Sequence, residues 1–179
     1  MSSRRRFLAV GGAGLLASLA GCLARTRGAV GAGLPEEELS PDAATEPYQF
    51  TEDHNIHPVA AYELGDADHG RHEIVVVNLA GEPVDTGLVL RSGFTDRVVY
   101  ECELELDPGG YAAWRLTRRE RYDIRIAAGD DALEDEVDPE RIDCNWSEQV
   151  YAVRDEGVRH EYDTTEQVQC APWWVPERV

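Results

Sequence analysis

The sequence predicts an all-β sandwich, and three observations carry that expectation. From about residue 57 the chain is a series of short runs rich in branched and aromatic residues, broken by Gly, Asp, Asn and Pro. Two of those runs alternate apolar and polar side chains with period two. No long segment carries an apolar repeat of 3.6 residues, the mark of a helix with one buried face.

The expected strands are 57–64, 71–79, 84–91, 96–106, 111–118, 121–127, 149–154 and 157–162. Turn signals separate them at Gly65-Asp66, Gly81-Glu82-Pro83, Ser92-Gly93, Asp107-Pro108-Gly109-Gly110, Gly129-Asp130-Asp131 and Asp155-Glu156-Gly157. The run 96–106 is the clearest. Val98, Tyr100, Cys102, Leu104 and Leu106 share one face, and Val99, Glu101, Glu103 and Glu105 the other. The run 121–127 repeats the pattern, with Tyr122, Ile124 and Ile126 against Arg121, Asp123 and Arg125. Ile74-Val75-Val76-Val77 is apolar on both faces and predicts a central strand. Asp131 to Glu136 is the best helix candidate, short and acidic, and the surrounding stretch from Asp130 to Glu140 reads as a solvated loop. It lacks the spacing of a calcium loop. Seven or eight short strands with turns every 8–12 residues predict an immunoglobulin-like sandwich over residues 51–179.

The start of the chain has a different character. Arg4, Arg5 and Arg6 precede an apolar, Gly-rich run from Phe7 to Leu19, and Ala20-Gly21-Cys22 follows. The run is too short to span a bilayer, which takes ~20 residues. Ser3-Arg4-Arg5-Arg6-Phe7-Leu8 resembles a twin-arginine export signal, with Arg4, Arg5, Phe7 and Leu8 on its pattern and Ala9 departing from it. Leu19-Ala20-Gly21-Cys22 is similar to a lipobox, whose thiol takes a lipid as a thioether. This reading makes 1–21 a signal peptide and Cys22 a lipidated N-terminus on the outer face of the cytoplasmic membrane. Residues 22–50, with Pro35-Glu36-Glu37-Glu38, then form a flexible acidic linker.

Charge supports an exported, salt-adapted protein. Without the three signal arginines, 14 arginines face 35 acidic residues, a formal −21, and there is no lysine. Dense carboxylates keep a surface hydrated in molar salt, where the Debye length falls to ~3 Å. The same sign excludes sequence-independent binding to nucleic acid.

Two further patterns bear on chemistry. Cys144 and Cys170 flank the last expected hairpin and predict a disulfide, leaving Cys102 as a small buried thiol on the apolar face of its strand. Asn145-Trp146-Ser147 is an N-glycosylation sequon. The pairs His54/His57 and His69/His72, with Cys102, make a small copper or redox protein the alternative function. The only methionine is Met1, so no axial methionine would remain after processing. Ser40, Ser92 and Ser147 lie in no Gly-x-Ser-x-Gly element, and no His-Glu-x-x-His is present. No catalytic residue and no cofactor are therefore assigned. The tail Pro172-Trp173-Trp174-Val175-Pro176 reads either as a cover for an open sandwich edge or as a partner or membrane-interface element.

The order of strand, Asn, strand, Pro-Gly turn, strand, Tyr-x-Ile-x-Ile strand, Cys, hairpin and Cys resembles the small immunoglobulin-like lipoproteins of halophilic archaea, over residues 57–170. The resemblance implies a lipid-anchored module whose partner is an envelope protein, and it names no activity.

Overall fold

The computed structural model describes residues 33–47, 50, 55–66 and 70–166. They form two packed β-sheets, so the all-β sandwich expected from the sequence is the observed fold. The strands are β1 (Glu36–Leu39), β2 (His57–Leu64), β3 (Arg71–Asn78), β4 (Val84–Ser92), β5 (Val98–Leu106), β6 (Gly110–Leu116), β7 (Tyr122–Ala128), β8 (Asp131–Val137), β9 (Trp146–Arg154) and β10 (Gly157–Glu166). One sheet has the order β1-β2-β6-β3-β9-β10 and the other β5-β4-β7-β8. Two neighbouring pairs, β2/β6 and β3/β9, run parallel, and the rest are antiparallel.

All eight expected strands are present, and two more were not foreseen. The first is β1, which lies inside the expected linker. It pairs antiparallel with β2, and Leu34 just before it is buried in the main core. The ordered domain thus begins before residue 51, and 22–50 is not linker throughout. Glu36, Glu37 and Glu38 carry no apolar alternation, so an edge strand held by backbone hydrogen bonds leaves no hydrophobic signature. The second is β8, at the place of the short helix and solvated loop. Glu134 and Glu136 point to solvent, Leu133 and Val137 meet the core with half-buried Asp135 between them, and β7 supplies the hydrogen bonds.

The core between the sheets follows the sequence alternation. Tyr100, Cys102 and Leu106 of β5, and Tyr122, Ile124 and Ile126 of β7, all face inward and are buried. On the larger sheet they meet Tyr62, Ile74, Val76, Trp114, Leu116 and Tyr151. The doubly apolar run of β3 sits between β6 and β9, as a central strand. Val75 and Val77 face the other way, into a second cluster with Phe50, Tyr111, Ala113, Val150 and Ala152. A short 3-10 turn at Pro41–Ala43 leads the chain toward that outer face.

The hairpin β9–β10 forms at the expected turn, where Gly157 takes φ +113. Asp131 Oδ2 lies against this glycine and accepts a hydrogen bond from Val158 N at 3.0 Å, so a Cβ there would clash as well as strain. One detail differs from the simple alternation. A register shift between His160 and Tyr162 turns Tyr162 to the outer face beside Phe50, while Val158 and His160 face inward.

Candidate functional site

Neither of the described histidines that carried the metal expectation meets the other. His57 pairs with Gly110 at one end of β6 and His72 with Leu116 at the other, roughly 20 Å apart at the usual strand rise. His72 is fully buried on the inner face of β3. Its Nδ1 lies 2.8 Å from Ser147 Oγ and its Nε2 2.9 Å from Gln149 Oε1. Burial first, with Arg141 adding to it, pushes its pKa down to about 4. Cys102 belongs to the opposite sheet. His54 and His69 lie outside the described residues. Among the described residues no group of three or more His, Cys, Asp or Glu side chains is arranged to hold a metal. Among the described members of the copper set, His57 and His72 lie at opposite ends of β6 and Cys102 on the other sheet.

The His72–Ser147 contact is a serine–histidine pair that no motif announced. It staples strands together. Ser147 Oγ is 2.8 Å from the Arg141 carbonyl, and Gln149 Nε2 donates to the Glu136 carbonyl at 3.2 Å. β3, β9 and β8 are thereby joined through side chains. Closer to solvent, Tyr151 donates to Asp135 at 2.9 Å, and His160 lies 3.3 Å from Asp135 and 2.9 Å from Asp163. Arg141 pairs with Asp163 at 2.8 Å. Burial opposes the Asp163 charge, but the Arg141 hydrogen bond and charge prevail and hold its carboxyl below the usual range. This network seals the side where edge strand β8 faces edge strand β10.

The cysteine expectation needs correction. Cys102 is buried on the inner face, as the alternation indicated, but it is disulfide-bonded, as is Cys144. No described cysteine is a thiol. Cys22 and Cys170 lie outside the described residues, as do Arg4, Arg5, Phe7, Leu8 and the tail tryptophans. The chain has four cysteines. A lipid on Cys22 would leave three, an odd number, so lipidation and complete disulfide pairing exclude one another. Asn145 is half-buried, and its side-chain amide donates to Asp143 at 2.8 Å. The hydroxyl of Ser147, the third sequon position, is buried against His72. A glycan on Asn145 would have to be attached before this corner folds.

A buried carboxylate row crosses the outer face of the larger sheet, and sequence patterning missed it. Arg115 of β6 stands between Glu63 of β2 and Glu73 of β3, and Glu148 of β9 is register partner to Glu73. Arg115 donates to Glu73 at 2.7 and 2.9 Å and to the Ala43 carbonyl at 3.1 Å, and Thr45 N donates to Glu73 at 3.3 Å. The row thus fastens the segment that covers this face. Glu148 has no such compensation. Both its oxygens are buried without a hydrogen-bond partner. Burial first, then the charge of Glu73, push its pKa up to about 7, against a smaller lowering by Tyr162. The strand reads Glu148-Gln149-Val150, which to a period-two pattern looks like an exposed start.

The outer face of the four-stranded sheet is different. Among the described residues no segment lies across it. Its middle is low, with Gly87 and Val89 of β4 beside Ala127 of β7, and carboxylates rise along its borders. Two open concavities of about 500 Å³ each occupy it. One is bordered by Asp85, Glu103 and Glu105 around Gly87, Ala127 and Gly129, without a basic residue. The other has Arg91 and Arg125 among Asp123, Glu134, Asp135 and Glu136. The face is suited to an opposing surface rather than to enclosing a small molecule.

No protein-family model and no curated protein matches the chain. Among solved structures it is similar to a proposed cell adhesion protein from Bacteroides ovatus ATCC 8483, with a TM-score of 0.32 and 8% identity over 77% of this chain. The match spans 62% of that structure's length.

Proposed function

We propose that this chain is an exported, lipid-anchored sandwich module that holds a partner protein at the outer face of the cytoplasmic membrane. In this reading the twin-arginine signal exports it, Cys22 carries the lipid and Cys144 joins Cys170, which leaves Cys102 as the one thiol of the anchored chain in place of the disulfide it makes in the structure. The β9–β10 register agrees with that bond. It places Trp146 opposite Glu166, and in sequence Cys144 stands two residues before the one and Cys170 four after the other. The density of carboxylates adapts the surface to high salt. The module works by contact, not by catalysis.

The observation that carries the reading is the asymmetry of the two sheets. The outer face of the larger sheet is a second core, buried beneath Phe50 and Tyr162. The outer face of the smaller sheet is bare among the described residues, shallow and bordered by carboxylates. A partner that presents arginines or lysines toward Glu103, Glu105 and Glu134 complements it.

Photo-crosslinkers placed at Val89 and Ala127, in native membranes of the producing cell, test this. A discrete adduct from both positions and none from Arg154, on the other sheet, is expected. Equal or absent crosslinking at all three would refute the assignment of this face. The mass of the mature protein separately decides whether Cys22 carries a lipid.

A further inference from the structure

The two large hydrophobic side chains that stand exposed among the described residues belong to one hairpin. Phe94 is 91% exposed and Val98 39%. Phe94 sits at the tip of the β4–β5 turn, and that turn is rigid. Ser92 N donates to the Arg97 carbonyl at 2.9 Å, Asp96 N donates to the Ser92 carbonyl at 2.8 Å, and Thr95 N donates to Ser92 Oγ at 3.2 Å. Asp96 takes φ +53, a left-handed geometry that the turn imposes on it. Gly93 N donates to the Arg121 carbonyl at 2.8 Å, and Ser92 Oγ is hydrogen-bonded to Glu120, so the β6–β7 loop is tied alongside. Phe94 is held outward by this frame.

The same corner gathers positive charge in a chain that is otherwise acidic. Arg91, Arg97, Arg118, Arg119 and Arg121 are all exposed there. The two loops hold four of these arginines against Asp96 and Glu120, a formal +2, which Arg91 at the end of β4 raises to +3; Asp66 follows Gly65, which abuts Arg118, and is the acid of the neighbouring loop. Asp96 is 3.7 Å from Arg91, and Glu120 is 3.8 Å from Arg118. Beyond the loops, Arg121 also faces Asp123 at 3.9 Å and Glu136. Arg119 binds only the Pro139 carbonyl, at 3.1 Å.

The chain also enters the domain at this corner. Leu34 N donates to the Val99 carbonyl at 3.0 Å, at the foot of the same hairpin. Eleven residue steps separate Gly33 from Cys22. They span at most about 40 Å. A lipid on Cys22 therefore tethers the sandwich from this end.

We propose that the Phe94 corner is a second membrane contact: Phe94 inserts among the acyl-chain boundary and the surrounding arginines bind anionic lipid headgroups. An aromatic at the interface with guanidinium groups at phosphate depth is the arrangement such a surface needs. The tether makes even a weak docking sufficient, since a short linker holds its site at an effective concentration in the millimolar range. Docking here leaves the bare face of β5-β4-β7-β8 upright and open to a partner. The proposal rests on the reading of Cys22 as the anchor only for that orientation.

The test uses the full mature chain without its lipid, floated with vesicles of phosphatidylcholine alone or mixed equally with phosphatidylglycerol. Binding to the anionic vesicles is expected, with little to the neutral ones. Phe94→Ser should weaken it about tenfold. Each of Arg118→Gln and Arg119→Gln should weaken it about fivefold in dilute salt and far less in molar salt. Arg154→Gln and Arg159→Gln, at the opposite end, should change nothing. Unfolding midpoints equal to wild type confirm that the variants fold. The proposal is overturned by no vesicle binding, by equal binding to both vesicle types, or by Phe94→Ser binding like wild type. Because the chain carries no lipid, these outcomes do not depend on whether Cys22 is modified.

Discussion

Replacing Glu148 by Gln should stabilise the protein, and only above about pH 5. The carboxyl is buried with no hydrogen-bond partner for either oxygen, and its pKa stands at about 7 against an ordinary 4.5. Below 4.5 the folded and unfolded chains both hold this proton, so the group contributes nothing. Between 4.5 and 7 the unfolded chain has released it and the folded chain has not. The folded state then binds more protons, and stability falls as pH rises through that window. The shift of about 2.5 units corresponds to roughly 3 kcal/mol, complete near pH 8. His72 tilts the other way. Its pKa is lowered to about 4, so its contribution rises from pH 4 to 6.5 and masks the slope in the wild type. The difference between Glu148→Gln and wild type isolates the carboxyl. Urea unfolding at constant high salt should show equal stability near pH 4.5 and a gain of ~3 kcal/mol near pH 8, or ~6–12 °C in midpoint for a domain of this size. A difference that does not change with pH would refute the burial argument. A loss at pH 8 would mean that the ionised form is compensated after all.

Arg115→Met should destabilise by roughly 3–5 kcal/mol at neutral pH, because it strands the buried Glu73 charge and releases the Ala43 carbonyl. The same urea series at neutral pH would read this loss. Thiol counting without reductant tests the anchor: one thiol per denatured mature chain is expected if Cys22 is lipidated, and none with an unmodified Cys22 would exclude it. Thermal unfolding should move to higher temperature from dilute buffer to molar sodium or potassium chloride, given the formal −18 of the sequence. An unchanged midpoint would argue against salt adaptation.

The sequence alone determined the architecture where apolar and polar residues alternate along a strand. The alternation placed Tyr100, Cys102 and Leu106 of β5 and Tyr122, Ile124 and Ile126 of β7 inward, because a period of two with one solvated face admits a single register; Val98, expected on the same face, is exposed where the β4–β5 pairing shifts register at the end of the strand. The doubly apolar β3 announced its central place, and the turn at Asp155-Glu156-Gly157 announced the last hairpin. Three things were decided only in the tertiary structure. Strands β1 and β8 exist because a neighbour supplies backbone hydrogen bonds, a cause that acidic edge residues do not record. The carboxylate row is buried because Ala43, Ala44, Thr45 and Phe50 come to lie over polar side chains that a local pattern assigns to water. The corner where Leu34 meets Val99 beside Phe94 joins residues more than sixty apart in sequence. Pattern within one strand reports which face is dry; it carries no information on which distant segment arrives to dry the other.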